Sequence, residues 1–197
     1  RSCSARGNRP MDIDDVQDLI ESIRQKYIDQ FVSKADELAA ASKGPHTTEV
    51  KFANVDGFYR NFIAVDFVAD DGKPEPHFIN SETYLRSSPD IHLGIGDMRV
   101  SISPFKWDEA HLELDMATLD DEFFDEWFDS WFDVDEERAT EDVVGNIVHG
   151  VQLLDGRMIV DFGTAEVDAF WHLLDTLKRS GVESVAIGTD DVAHHLN

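Results

Sequence analysis

Residues 120–138 read DDEFFDEWFDSWFDVDEER, placing six aromatic rings and ten carboxylates within nineteen positions. Such a segment folds only if rings and acids are kept apart, and helical periodicity separates them. With Phe123 at zero and about 100° of rotation per residue, Phe124, Trp127, Phe128, Trp131 and Phe132 fall within an arc of about 180°. Glu122, Asp125, Glu126, Asp129, Asp133 and Glu136 occupy the opposite arc. The spacing therefore predicts an amphipathic helix over residues 120–136, with Thr118 and Asp121 as an N-terminal capping box. Each ring can bury roughly 150–250 Å², and so much apolar area left in water invites aggregation. The ring face is thus expected in the core. A competing reading leaves part of it open as a partner groove, with Trp127 and Trp131 as anchors. The acidic face has less choice, because carboxylates at this density stay solvated or meet cations.

The rest of the chain supplies a fold for this helix to pack on. Residues 12–41 carry Ile13, Val16, Leu19, Ile20, Ile23, Tyr27, Ile28, Phe31 and Val32 at spacings of three and four, a long helix closed by Ser42-Lys43-Gly44-Pro45. The period then shifts to that of strands. Val50, Phe52 and Val55 precede Asp56-Gly57, and residues 58–68 (FYRNFIAVDFV) are β-branched and aromatic, which predicts a hairpin on a two-residue turn. After Asp71-Gly72-Lys73-Pro74, HFINSETYLR reads as a weaker extended segment. Residues 91–95, 98–102 and 111–116, punctuated by Gly94, Gly96, Asp97 and the Pro104 region, read as an antiparallel meander.

The sharpest hairpin signal is GVQLLDGRMIVDF, with Asp155-Gly156 as a type I′ pair. Counting outward pairs Leu154 with Arg157, Leu153 with Met158, Val151 with Val160 and His149 with Phe162. Val151, Leu153, Met158 and Val160 then share the buried face. Residues 164–179 form a helix on Val167, Phe170, Trp171, Leu174 and Leu177, with Lys178 and Arg179 at its end and Gly181 as its stop. Residues 183–187 make a last strand. This order predicts an α+β fold: a mostly antiparallel sheet carrying a long N-terminal helix and two further amphipathic helices. A single domain over residues 11–197 fits the length.

Residues 1–10, RSCSARGNRP, hold three arginines, no acid and no apolar period, and read as an appended leader before a native start at Met11. No stretch approaches the roughly 20 apolar residues of a membrane helix. Cys3, the one cysteine, falls within that leader; the chain from Met11 onward therefore has no disulfide framework, thiolate nucleophile or Cys-based zinc site, which points to a reducing cytoplasmic setting. The net charge is -24. From Pro104 onward there are twenty-four acids against five bases, compared with seventeen against nine over residues 11–103. Such a chain repels nucleic acid and anionic lipid and attracts basic proteins. The plain alternative is that the acids serve solubility or salt adaptation.

Catalytic signatures are missing. There is no GxSxG elbow, P-loop or GxGxxG, and the GIG of HLGIGDMR lies at a strand turn. Eight histidines include the cluster TDDVAHHL with Asp190, Asp191, His194 and His195, but no HExxH or HxH spacing. His149 falls on the inward face of its hairpin, as a hydrogen-bonded core residue, and His172 lies at the edge of its helix stripe. The run from Asp133 alternates acids at Asp133, Asp135 and Glu137 like the start of an EF-hand loop, yet has Arg138 where glycine is required and no acid at position 12. No metal or cofactor is expected.

The leading expectation is a non-catalytic binding protein that holds a basic protein partner through Asp125, Glu126, Asp129, Asp133 and Glu136, with Trp127 and Trp131 as anchors. It would act as an inhibitor of immunity type or as a chaperone-like escort. Two alternatives come from other classes: a small hydrolase or metal-dependent enzyme whose His and Asp residues converge only in three dimensions, and an oligomer-forming domain built on the aromatic helix.

Overall fold

A computed structural model describes residues 13–41, 46–53, 62–70, 74–77, 90–116, 119–133, 144–154 and 156–189. The first helix, α1, spans Ile13–Ala41 and turns Val16, Ile20, Ile23, Tyr27, Phe31 and Ala35 inward, one face at the expected spacing. Ile13 alone of the predicted stripe lies outside, 55% exposed in the first turn. Arg24 fastens the helix by donating from Nε to Ala165 O at 2.6 Å and from Nη2 to Thr164 O at 3.0 Å. Burial lowers the pKa of this guanidinium, and nearby Glu166 and Glu21 act in the opposite direction.

The strands form two sheets. In the smaller, β1 (His46–Ala53), β2 (Phe62–Asp70) and β3 (Pro74–His77) are antiparallel in the order β1-β2-β3. The β1–β2 register pairs Ala53 with Phe62. A two-residue turn at Asp56-Gly57 would instead pair Ala53 with Arg60, so that expectation is corrected by a slip of two residues. The turn itself lies outside the described residues, as does the segment 78–89.

The larger sheet holds β4 (Ile91–Ile95), β5 (Met98–Ile102), β6 (Ala110–Leu114), β7 (Gly150–Leu154), β8 (Arg157–Asp161) and β9 (Ser184–Gly188) in the order β4-β5-β9-β6-β8-β7. The β7–β8 hairpin has the predicted register, with Val151 opposite Val160 and Leu153 opposite Met158. The meander is corrected. Strand β9 lies between β5 and β6, parallel to β5 and antiparallel to β6. Both β8 and β9 run antiparallel to β6, so the chain must cross over between two parallel strands, and the helix α3 (Val167–Arg179) supplies that crossover. The loop from β5 to β6 steps across the gap and is itself anchored in the core: Trp107 is 0% exposed and its Nε1 donates to Gly163 O at 2.9 Å.

Helix α3 starts three residues later than its sequence pattern suggests. Thr164 and Ala165 direct their carbonyls to Arg24, and Ala165 N donates to Ile147 O at 3.0 Å. Those groups are committed to tertiary partners before the helix begins.

Candidate partner-binding surface

The acidic aromatic helix, α2, spans Asp121–Phe132. Its N-cap is Asp120, whose carboxylate accepts from Glu122 N at 3.0 Å. Thr118 of the expected capping box lies outside the described residues; at Asp120 a local Asp side chain satisfies a first-turn amide. At the other end Asp133 takes the left-handed conformation, φ 49°, and Val148 N donates to Trp131 O at 2.9 Å. The helix thus stops one turn short of Glu136, which lies outside the described residues along with the acidic run after it.

The ring face is core. Phe124, Trp127, Phe128 and Phe132 are each at most 2% exposed, and Phe128 stacks on Phe132 at 4.2 Å between centroids. Trp127 is wholly enclosed and its Nε1 donates to Ala169 O at 3.0 Å, tying α2 to α3. Trp127 as a surface anchor is therefore corrected: a partner reaches it only by separating two helices. Trp131 is half-buried at the rim, where its Nε1 donates to His172 Nδ1 at 3.0 Å. That bond places the imidazole proton of neutral His172 on Nε2.

The acids divide by position. Glu122, Glu126 and Asp129 are exposed, whereas Asp125 and Asp133 are half-buried. Glu126 already holds a cation: Arg179 Nη1 lies 2.9 Å from its Oε2, and the same guanidinium sits 4.3 Å over the Phe123 ring. A carboxylate beside an aromatic face is a good seat for arginine, and here the seat is filled from within the chain. Further acids are exposed on α1, at Asp14, Asp15, Asp18, Glu21, Asp29, Asp36 and Glu37.

A second polar cluster is buried. Glu49 on β1 has φ 52° and accepts from Gly145 N at 2.6 Å and from the Thr164 hydroxyl, while its Oε1 meets His149 Nε2 at 2.8 Å. Tyr27 and Phe31 enclose the His149 ring. His149 is thus a hydrogen-bonded core residue, as its place in the hairpin predicts. Glu49 had no signal in the sequence, since an acid in an alternating strand ordinarily faces water. The cluster joins the two sheets and is buried among the described residues, with side-chain exposures of 7% for Glu49 and 0% for His149.

Other histidines keep separate company: His92 is exposed on β4, His111 lies 3.6 Å from Glu109, and His172 binds Trp131. Among the described residues no three His, Cys, Asp or Glu side chains gather as a metal site would require. Residues 190–197, with His194 and His195, lie outside the described residues. Among the described residues, too, no helix is long and apolar enough to cross a membrane. No protein family, curated protein or solved structure that was compared matches this chain.

Proposed function

We propose that the protein is a non-catalytic binding protein that holds a basic protein partner on the acidic surface of α2. The observation that carries this reading is the division of that helix. Four of its six rings are consumed by the core, so its outer surface offers Glu122, Glu126 and Asp129, flanked by Asp125 and Asp133, with Phe123 and Trp131 half-buried at the rim. The net charge of -24 steers a cationic partner toward it. The Arg179–Glu126–Phe123 contact supports the reading by example, since it is the geometry an incoming arginine would adopt. An inhibitor of immunity type and an escort for a basic client both use such a surface, and a cytoplasmic setting fits a chain with no cysteine beyond Cys3.

The test replaces Asp125, Glu126, Asp129, Asp133 and Glu136 with Asn or Gln. The unmodified protein, immobilised at low salt with extract from its native source, is expected to capture a basic protein that elutes as ionic strength rises. The substituted protein, with an unchanged circular dichroism spectrum, is expected to lose it. Equal capture by both proteins would refute the proposal.

A further inference from the structure

On the larger sheet, Arg99 and Ser101 alternate with buried Met98, Val100 and Ile102, so they point to the opposite face. That face carries a trough of about 710 Å³. Two rungs of the sheet cross it. One runs from Gly94 through Arg99 to Ser184, with Asp115 beyond, and the next from His92 through Ser101 and Ala186 to Glu113. Between Arg99 on one side and the two carboxylates on the other the floor is made of small side chains, Ser101, Ser184 and Ala186, with the His92 imidazole on the edge strand beyond.

Arg99 is the one described arginine whose guanidinium makes no hydrogen bond, ion pair or ring contact; Arg24, Arg157 and Arg179 are all engaged. In a chain with 41 acids against 17 Lys and Arg, that isolation needs a cause, and the nearby carboxylates supply it. Asp115 is held by Glu183 N and Ser184 Oγ, each at 3.2 Å. Glu113 faces Arg157 at 3.4 Å. The acids are thus kept on their own side of the trough, and the planar fork of Arg99 stays open to a carboxylate.

From this we infer that the trough binds a short zwitterionic peptide, its C-terminal carboxylate on Arg99 and its ammonium group against Asp115 and Glu113. A bare anion is opposed by the net charge, whereas a zwitterion bears none. The two charged sides stand two strand spacings apart, about 10 Å, which is about the length of three extended residues. Held carboxylates still have lone pairs to offer an ammonium group. The small residues beneath leave room for a peptide backbone. This site is on β4, β5, β9 and β6, and it does not depend on the proposed basic partner.

The probe is triglycine, titrated into the whole protein while the amide resonances of His92, Ser101 and Ser184 are followed by NMR. Saturable shifts are expected. N-acetyl-triglycine, triglycine amide and the Arg99→Gln protein should each show binding at least about tenfold weaker. Absence of saturation up to roughly 10 mM, or capped peptides binding as well as triglycine, overturns the inference. Inorganic phosphate displacing triglycine at equal concentration also overturns it, by showing a plain anion site. The capped peptides decide the matter on the unmodified protein should the Arg99→Gln protein fail to fold.

Discussion

Glu49 and His149, one hundred residues apart in the chain, meet at 2.8 Å inside the protein. The contact ties the three-stranded sheet to the segment leading into β7. It is a polar joint between two apolar layers, and Thr164 and Gly145 complete it. Replacing Glu49 with Ala leaves the Gly145 amide, the Thr164 hydroxyl and His149 Nε2 facing a buried void. The expected loss is at least about 1–3 kcal/mol, the cost of a buried donor left unsatisfied, with a fall in Tm on the order of 5 °C. Glu49→Gln, which keeps an acceptor oxygen, should lose clearly less. Urea and thermal unfolding measure both, and a loss under about 1 kcal/mol for Glu49→Ala would mean the joint is not a stabilising one.

Gly163 should tolerate no side chain. Its φ is 51° and a Cβ there would overlap the His149 ring. The backbone strain of Gly163→Ala alone costs about 1–3 kcal/mol, and displacement of the ring adds to it. Unfolding measurements should show the protein destabilised, with the His149 resonances shifted. A neutral Gly163→Ala would contradict this packing.

Trp127 offers a direct check on the fate of the ring face. Trp127→Phe removes the indole donor that joins α2 to Ala169 O and leaves a gap beside α3, while Trp127→Ala should cost about 3–5 kcal/mol. The absolute intensity that iodide quenches is expected to stay the same after either change while the unquenched remainder falls, because an enclosed ring adds emission that iodide does not reach. Loss of a quenchable component would put Trp127 at the surface.

Salt should stabilise this protein. The exposed pairs, such as Glu126–Arg179 with side chains 55% and 36% exposed, are worth at most about 1 kcal/mol each. Against them stands repulsion within a chain of net charge -24. Raising NaCl from 0.05 to about 0.5 M, which shortens the screening length below roughly 5 Å, is expected to raise Tm. A lower Tm would show that the ion pairs outweigh the repulsion.

Much of this architecture could be read from residues close in sequence. The stripe of α1, the ring face of α2 and the β7–β8 register each follow from a local period, and each is present as predicted. Short connections misled at β5 and β6, because seven residues around Trp107 are enough to step over a strand as well as to join neighbours. Helix ends were misplaced where tertiary partners claimed the backbone, as Arg24 does at Thr164 and Val148 does at Trp131.

The sequence by itself determined which faces are apolar, the α+β class and the sign of the surface charge, because periodicity and composition act within one element. Only the tertiary structure decided the insertion of β9 between β5 and β6, the burial of Glu49 against His149 and the isolation of Arg99. Those outcomes depend on which distant segments meet, and a carboxylate or guanidinium carries no local mark of the partner it will find.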